Sequence, residues 1–511
     1  MKSNFKKALY FLGDEWKEFL LFLLALCLLF AVEAIAHPLM VKFIFDEATI
    51  NKNFKVFLIL VIVFLLIGII INFTGWLLEL WGKRFENKVI SKVVEKMLKS
   101  YYNKDYNSIL QKGEGYFVGR VYKDVTEAFI PFIKSIREMS VNLTRVISFL
   151  GVLIYISWQA TLTIIGLIPF IVYFSNLLSQ KIKSATMVER ESESNFINVL
   201  NKSISSYKLV NIYGVLPKVL EGTIFSLLNY LNALYRNFKL ITTYRTGVDL
   251  IMNISDFFSL LVGAIFVLQG KLTFGGYLAF VTAFWRAVTA VSEFFRPIGE
   301  LNRSFTVINR LYEFEKEGRR EFYEKGNEVV LENVYFSYDK NVLLKEFSLK
   351  IKSGEKVLII GPNGSGKTTI ANIISGLLSP QKGKVILPER ISSLTLPFEF
   401  PLLKIKELPI DKDLLRDFKL DEFLENYPDE LSVGQRQKLS IALALSKEAD
   451  LYIFDEPLAN LDKESIPLIM KKILEKTKGK TLIVIMHKGE EWYPYFDKIL
   501  NIEEMKKEEV V

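Results

Sequence analysis

The stretch GPNGSGKTT, residues 361–369, follows directly on the short apolar run 357–360. It matches the glycine-rich phosphate loop GxxxxGKS/T and lies between a predicted buried strand and a predicted helix over residues 370–378. Residues without a Cβ let backbone N–H groups turn inward around a polyphosphate. In this loop they are Gly361, Gly364 and Gly366. Lys367 can reach the β- and γ-phosphates and Thr368 can offer a hydroxyl to Mg²⁺, so the loop predicts binding of a nucleoside triphosphate.

Composition places much of the chain in a membrane. Half of the 511 residues are hydrophobic, and the apolar weight falls mostly before residue 300, so we expect two domains of different character. The formal net charge of +8 is typical of positively charged cytoplasmic loops in a membrane protein. We therefore expect a lipid bilayer as partner and no nucleic acid. Cys27 is the only cysteine, which excludes a disulfide within the chain.

Six apolar stretches before residue 300 are long enough, or nearly so, to cross a bilayer. They are residues 19–40, 56–78, 141–158, 160–179, 248–268 and 276–291. Lys2, Lys6 and Lys7 precede the first stretch, which predicts a cytoplasmic N-terminus. An even number of crossings then returns the chain to the cytoplasm. We expect a multi-pass protein of a prokaryotic cell (inner) membrane with its nucleotide-binding domain in the cytoplasm.

The connections between the apolar stretches are uneven in length. Residues 83–137 and 181–245 are long, charged and apolar-periodic, which predicts helices that extend well into the cytoplasm. The composition changes at Gly326, where strand-like runs begin. We therefore predict an all-α six-helix transmembrane domain over residues 1–325, followed by an α/β P-loop NTPase nucleotide-binding domain over residues 326–511.

A second buried-strand run, residues 451–454, ends in the acidic pair Asp455 and Glu456. An acidic residue at the end of such a strand can hold Mg²⁺ through its water shell, and a second carboxylate beside it can polarise an attacking water. A solvated acidic turn is the alternative interpretation, but the phosphate loop upstream favours the functional one. The predicted metal-binding residues are Thr368 and Asp455.

Several motifs follow one another in an order that identifies a family. They are Tyr338, the phosphate loop, LSVGQ at residues 431–435, Asp455 with Glu456, Leu461 with Asp462, and His487. In this order they resemble the ATP-binding cassette (ABC) transporters, of the exporter type with six helices fused ahead of one nucleotide-binding domain. The resemblance covers most of the chain. Residues 115–124 resemble the first cytoplasmic loop of these exporters, and residues 304–313 resemble their connection to the ATPase domain.

The resemblance implies a role for each motif residue. Tyr338 would stack on adenine, although an edge-strand tyrosine that packs on its neighbours is the alternative. Glu456 would be the catalytic base, and His487 would hold the γ-phosphate and the attacking water. Asp462 would belong to the loop that crosses to the partner domain. The phosphate-loop residues that would contact the nucleotide are Gly361, Pro362, Asn363, Gly364, Ser365, Gly366, Lys367, Thr368 and Thr369.

The LSVGQ segment implies a partner. Ser432 precedes a helical run over residues 436–445, so it can cap a helix whose N-terminus faces a phosphate. In the resembled family this motif contacts the ATP held by the other nucleotide-binding domain, so Ser432, Gly434 and Gln435 would serve a partner's ATP. A chain with one such domain must then pair with a second half-transporter, as a homodimer or a heterodimer, and a monomer would be inactive.

Three features depart from the resembled family. Val433 replaces the first of two glycines in the LSGGQ motif. Because a β-branched residue resists φ > 0, we expect impaired backbone approach to the partner's phosphate. The family also expects a Gln near Leu396 as a Mg²⁺ ligand, but none occurs between Gln381 and Gln435. The span from Lys367 to LSVGQ is short, which predicts a small helical subdomain.

The membrane half of the sequence gives little information about the cargo. Glu33 interrupts the first apolar stretch and Arg145 the third, and ionisable groups in membrane helices often mark a pathway. An aqueous cavity around Glu33 and a snorkelling Arg145 are the alternatives. We predict an ATPase that exports a lipid, amphiphile or peptide as a dimer of half-transporters. The alternative is an ATP-binding but weakly hydrolysing regulatory or structural subunit of a heterodimeric complex.

Overall fold

The computed structural model describes residues 2–165, 168–317, 322–338, 341–362, 364–394, 399–487 and 489–502. Within the chain there are two compact units. The first unit comprises Met1–Lys96 and Tyr122–Tyr312, and the second comprises Met97–Val121 and Glu313–Val511. The division of the sequence into domains at Gly326 stays a prediction.

In the described part of the chain, eleven α-helices precede the first strand. They are α1 (Lys2–Leu12), α2 (Glu15–Asp46), α3 (Phe54–Tyr102), α4 (Tyr106–Lys112), α5 (Glu114–Val118), α6 (Asp124–Ile165), α7 (Ile168–Ser205), α8 (Tyr207–Tyr213), α9 (Leu216–Leu268), α10 (Phe274–Phe295) and α11 (Ile298–Lys316). Six of them (α2, α3, α6, α7, α9 and α10) have 22 residues or more. The N-terminal half is therefore helical, as predicted.

Among the described residues, four segments are long and apolar enough to cross a membrane. They are Glu15–Asn51, Phe54–Tyr102, Glu114–Leu162 and Phe274–Lys316, and they contain four of the six predicted stretches. The predicted stretch 248–268 lies in α9, where the described apolar segment is the shorter Asp256–Leu268. The predicted stretch 160–179 includes residues outside the described part. None of the most apolar part of α3 is buried within the unit, as expected of a lipid-facing helix.

The core of the first unit lies where α2, α6 and α10 pack together. On α10, Ala279, Ala283 and Ala287 recur every four residues on one buried face, with Phe280 and Phe284 beside them. Small residues at this spacing let helix backbones approach closely, which is how helices associate where lipid removes the usual hydrophobic driving force. This packing brings Glu33 of α2 and Arg145 of α6 within reach of α10.

The second unit contains all the described strands. They are β1 (Glu324–Lys325), β2 (Val329–Tyr338), β3 (Asn341–Ile351), β4 (Lys356–Ile360), β5 (Lys382–Leu387), β6 (Ile391–Leu394), β7 (Leu451–Asp455), β8 (Thr481–Met486) and β9 (Lys498–Asn501). One sheet has the order β1-β5-β2-β3, with β2 antiparallel to both of its neighbours. The other is fully parallel, with the order β6-β7-β8-β4-β9. The predicted α/β fold is confirmed, and the structure adds that one of its two sheets is parallel.

The parallel sheet decides where the motifs meet. Strands β7 and β8 are buried along their whole length, which explains why both read as continuous apolar runs rather than alternating ones. Helices pack around the sheet: α12 (Lys367–Ile374), α13 (Lys412–Asp417), α14 (Val433–Ser446) and α15 (Ser465–Lys476). Because β8 pairs with both β4 and β7, the carboxyl ends of these three strands lie side by side at one edge.

The segment Met97–Val121 packs with the second unit although it lies early in the sequence. Tyr106 contacts the apolar core between the sheets, and the Asn107 side-chain amide donates to the Ser379 carbonyl at 2.9 Å. Lys104 is buried and donates to the carbonyls of Phe314 and Glu317; this burial lowers the pKa of its ammonium group. The turn after α3 and the start of α4 are thus held to the rest of the second unit by polar and apolar contacts.

The region between β6 and α14 is small. Its only α-helix among the described residues is the six-residue α13, and the other helical segments are single 3₁₀ turns. This agrees with the short span from Lys367 to LSVGQ. Leu396, where the family's Gln was expected, lies outside the described residues.

Candidate nucleotide-binding site

The phosphate loop connects the carboxyl end of β4 to the N-terminus of α12. Gly364 and Gly366 have φ of +78° and +99°, values that L side chains rarely adopt. A Cβ on Gly366 would also come within 3.3 Å of the Leu343 side chain. Gly364 and Gly366 therefore permit the tight turn that leads from β4 into α12. Asn363, predicted as a nucleotide contact, lies outside the described residues.

Lys367 lies folded over this loop. Its Nζ donates to the carbonyls of Gly361 at 2.8 Å and Pro362 at 2.9 Å, and the residue is only 6% exposed. Burial lowers the pKa of the Lys367 ammonium, while the neighbouring carboxylates of Glu456 and Asp455 oppose that shift. A desolvated cation in a glycine-rich phosphate loop is suited to a polyphosphate.

Asp455 ends β7 and is 1% exposed. Both of its carboxylate oxygens are buried without a well-formed hydrogen bond to any described residue. Burial raises the pKa of this carboxyl, and the Thr368 hydroxyl opposes the rise. A buried carboxylate with free oxygen lone pairs beside a threonine hydroxyl is a donor set that fits Mg²⁺. The pair predicted to bind the metal, Thr368 and Asp455, is thus brought together.

Glu456 and His487 meet at the same edge of the sheet. The Nε2 atom of His487 lies 3.0 Å from Oε1 of Glu456, and both side chains are partly exposed. The Glu456 backbone is left-handed, with φ of +48°, and its N–H donates to the carbonyl of Ile485 on β8 at 2.9 Å. The strand end thereby turns the Glu456 carboxylate toward His487. The structure thus places the predicted base and the predicted orienting histidine next to each other.

Tyr338 lies at the end of β2, near the phosphate loop. Its hydroxyl is 3.4 Å from the Thr369 hydroxyl, and its ring packs edge-on against Phe336 with centroids 4.9 Å apart. The side chain is 39% exposed, which leaves ring surface for a base. The geometry therefore accommodates both interpretations of Tyr338, since it packs on its own strand and still has an open face.

LSVGQ forms the N-terminus of α14. The Ser432 hydroxyl accepts from the Gln435 N–H at 3.3 Å, and the Gln435 side chain accepts from the Ser432 N–H at 2.9 Å, which makes a capping box. Val433 is the first residue of the helix and has helical rather than positive φ. Positive φ is therefore not needed at Val433, because the helical conformation suits any L residue. The impaired approach to the partner's phosphate stays a prediction. What distinguishes Val433 from glycine is its side chain, and the residue is 55% exposed.

One residue of this site was missed in the sequence. Gln437 is 3% exposed, and its side-chain amide donates to the backbone carbonyls of Glu456 and Pro457. The available signal was its position, since Gln437 precedes Ile441 and Leu445 at four-residue spacing on the buried stripe of α14. A polar residue on such a stripe indicates a buried hydrogen-bonding partner.

The first unit holds a separate charged cluster, here called the membrane ion cluster: Glu33, His37, Arg145 and Arg286. A Glu33 oxygen lies 3.2 Å from Arg145 and its other oxygen 3.7 Å from Arg286. Arg286 also lies 3.1 Å from Nε2 of His37. One carboxylate thus faces two guanidinium groups from α6 and α10, which leaves an excess of one positive charge when His37 is neutral.

Comparison with known proteins identifies both halves of the chain. Residues 20–289 match the family profile described as the ABC transporter transmembrane region, and residues 344–459 match the family profile described as ABC transporter. The first match alone covers more than half of the 511 residues. The second contains the phosphate loop, LSVGQ and the Asp455–Glu456 pair.

The chain is also similar to whole proteins of known name. An ATP-dependent lipid A-core flippase of Francisella novicida is 27% identical over 68% of this chain and 66% of its own length. The corresponding flippase of Chromobacterium violaceum is 24% identical over 96% of this chain and 92% of its own length. The ATP-dependent permease MDL1 of Candida albicans is 23% identical over 66% of this chain and 56% of its own length.

Proposed function

This chain belongs to the ABC transporter family, and we propose that it is an exporter half that hydrolyses ATP to move an amphiphilic cargo across the membrane. The observation that carries the proposal is the contact between Glu456 and His487 at 3.0 Å, next to the buried Asp455 and the phosphate loop. A base, its orienting group, a metal ligand and a phosphate cradle are what hydrolysis of a phosphoanhydride requires. A chain that only bound nucleotide would have no need of the first two.

In the proposed reaction each residue has a definite task. Lys367 and the loop amides hold the β- and γ-phosphates, and Tyr338 offers its open face to the base. Thr368 and Asp455 would hold Mg²⁺, which when bound neutralises charge on the phosphate oxygens. Glu456 accepts the proton of the attacking water, and His487 keeps that water and the γ-phosphate in line.

We propose that two copies of the chain pair, and that each copy supplies Ser432, Gly434 and Gln435 to the ATP held by the other. The capping box supports this proposal, because it leaves the N-terminus of α14 pre-formed for a phosphate. The helical backbone of Val433 also supports it, because this position does not require the positive φ that valine resists. A heterodimer with a different half-transporter is the alternative outcome, and it would show as an inactive homodimer.

The membrane ion cluster supports an amphiphile with an anionic headgroup as the class of cargo. Two arginines around one carboxylate leave a net positive site on membrane-crossing helices, where unpaired charge is costly and marks function. An amphiphile with an anionic headgroup would neutralise that excess while its acyl part stays in the membrane. The flippase names of the bacterial relatives agree with a lipid cargo.

The proposal is tested by ATP turnover of the purified chain in lipid nanodiscs. Glu456→Gln should lower kcat about 100-fold or more because it removes the proton acceptor, while ATP binding is retained. The matched control is Glu389→Gln, which removes an exposed carboxylate paired with Lys325. Wild-type turnover in Glu456→Gln would refute the proposed reaction.

A second candidate function is a subunit that binds ATP but hydrolyses it weakly. The observation that favours it is the exposed Val433 side chain, which adds bulk at the helix end offered to the partner's ATP. On that view Val433→Gly should raise kcat at least about tenfold. A change below about threefold, with substantial wild-type turnover, would favour the active exporter.

A further inference from the structure

We infer that Gln437 is a positioning residue that holds the catalytic Glu456 in place, so that α14 links the partner's ATP to the chain's own hydrolytic carboxylate. The inference rests on the proposed function. It adds a residue that neither the motifs nor the comparisons assign to the reaction.

The contacts of Gln437 are specific. Its Nε2 lies 3.3 Å from the Glu456 carbonyl oxygen and 3.1 Å from the Pro457 carbonyl oxygen, so one amide group binds two consecutive peptide units. The residue is 3% exposed, so water cannot replace these bonds when they are lost. They fix the backbone directly after the catalytic side chain.

Glu456 needs such support because its backbone is strained. With φ of +48° it occupies a region that residues other than glycine populate sparsely, and Asn460, four residues on, is also left-handed, with φ of +62°. A conformation of this kind persists only where the surroundings over-determine it. The Ile485 carbonyl holds the N–H of Glu456, and the Ala459 N–H and Gln437 hold its carbonyl oxygen.

Helix α14 touches the same turn at two further positions. A Cβ on Gly434 would lie 3.0 Å from the Asn460 carbonyl, so the helix backbone approaches the turn closely there. Lys438 donates to the Ser465 hydroxyl at 2.7 Å and lies 3.3 Å from Asp462. The N-terminal turns of α14 therefore contact the segment after Glu456 at several points along its length.

The consequence is communication between two ATP sites. Ser432 begins α14 and serves the partner's nucleotide in the proposed dimer, while Gln437, just over one turn later, holds Glu456 of the chain's own site. A shift of α14 when the partner's ATP binds is passed through the Gln437 amide to the Glu456 backbone. A misplacement of about 1 Å at a reacting group can change a rate about 100-fold, so a small shift is enough.

The test uses full-length protein in nanodiscs with two substitutions of similar shape. Gln437→Met removes the donors, and Gln437→Glu replaces them with acceptors that face two carbonyls. We expect kcat to fall about 10-fold or more in Gln437→Met and further in Gln437→Glu, with KM for ATP within about threefold of wild type. The matched control is Ser392→Ala, which removes a different buried donor to α14, the 2.7 Å bond from Ser392 to the Ala444 carbonyl.

Amide hydrogen exchange gives a readout that does not depend on turnover. Exchange over residues 456–460 should be faster in Gln437→Met than in wild type and unchanged in Ser392→Ala. Wild-type kcat and exchange in Gln437→Met would overturn the inference even if Glu456→Gln is inactive. If Glu456→Gln keeps wild-type turnover, the proposed function fails instead. If Ser392→Ala shows the same losses as Gln437→Met, the effect is general to α14 and the positioning role is refuted.

Discussion

At the scale of single residues, the sequence reveals which chemical groups the site contains. It does not reveal how deeply each group is buried. Asp455 and Glu456 were found as an acidic pair after an apolar run, and the structure buries the first while leaving the second partly exposed. That difference suits them to different tasks, a metal ligand and a proton acceptor. It follows from the turn after β7, where Glu456 takes a left-handed backbone.

Replacement of Asp455 should separate stability from ligand binding. Burial raises the pKa of the Asp455 carboxyl above its value in the unfolded chain. Ionisation therefore costs more free energy in the folded state than in the unfolded state. The stability of the fold falls as the pH rises toward and through the raised pKa. Asp455→Asn should therefore unfold at a higher temperature than wild type at pH 7, by about 2–4 °C for each kcal/mol relieved. Thermal unfolding monitored by intrinsic fluorescence, without nucleotide, measures this.

The same variant should lose the stabilisation that Mg²⁺ with ATP gives to wild type. The control is Asp417→Asn, which changes a surface aspartate paired with Lys472. An Asp455→Asn protein that is less stable without nucleotide, yet still stabilised by Mg²⁺ with ATP, would contradict the assignment of Asp455.

Val433 and Gln437 show where reasoning from residue types fails. Val433 was expected to impair the backbone approach because valine resists positive φ, but the first turn of α14 is helical and requires no positive φ there. Gln437 was missed because its partners, the carbonyls of Glu456 and Pro457, are about 20 positions away in the sequence. Backbone carbonyls carry no residue-type signal, so only the fold could identify them.

At the scale of elements, the carboxyl ends of β4, β7 and β8 bring the site together. The order of these strands could not be read from the sequence, because apolar runs of five or six residues do not reveal their neighbours. Their parallel pairing explains why residues more than a hundred positions apart, such as Lys367 and His487, belong to one site. The membrane-length helices were easier to predict, because a bilayer requires long uninterrupted apolar stretches.

The sequence did not predict that the segment Met97–Val121 packs with the second unit. Asn107→Ala removes the bond to the Ser379 carbonyl, which lies just beyond α12 and the phosphate loop. We expect the ATPase rate to stay within about twofold while cargo moved per ATP falls about threefold or more, because the side chain links α4 to the segment after α12. Transport and ATPase are measured on the same proteoliposomes.

The control for this prediction is Asn103→Ala. Asn103 is an exposed residue in the turn before α4, four positions before Asn107. Equal transport per ATP in Asn107→Ala and Asn103→Ala would show that the Asn107 contact is structural and takes no part in coupling.

At the scale of the whole molecule, a helical membrane region and an α/β nucleotide-binding domain lie in one chain, as the two family matches show. Composition and motif order predicted this, because membrane helices and phosphate loops have strong local signals. The cargo had no such signal. Glu33 and Arg145 were noticed singly, but Arg286 and His37 join them only through the packing of α2, α6 and α10.

The membrane ion cluster yields a prediction about cargo. Arg286→Gln removes the excess positive charge and should reduce stimulation of the ATPase by anionic lipids about tenfold or more, with a much smaller effect for zwitterionic lipids. Lipid-dependent ATPase in nanodiscs of defined composition measures this. Arg296→Gln, a neighbouring exposed arginine that pairs with Glu138, is the control. Equal loss for both lipid classes would refute an anion-specific role.

The central claim is that two copies of this chain share each ATP site, and complementation between inactive variants tests it most directly. One copy carries Glu456→Gln and the other Ser432→Arg, and each should be inactive as its own homodimer. When the two are co-reconstituted, mixed dimers have one intact site, formed by Glu456 of one copy and Ser432 of the other. ATP turnover should then rise toward about a quarter of wild type, since about half of the dimers are mixed. A mixture no more active than the average of the two separate variants would contradict the account.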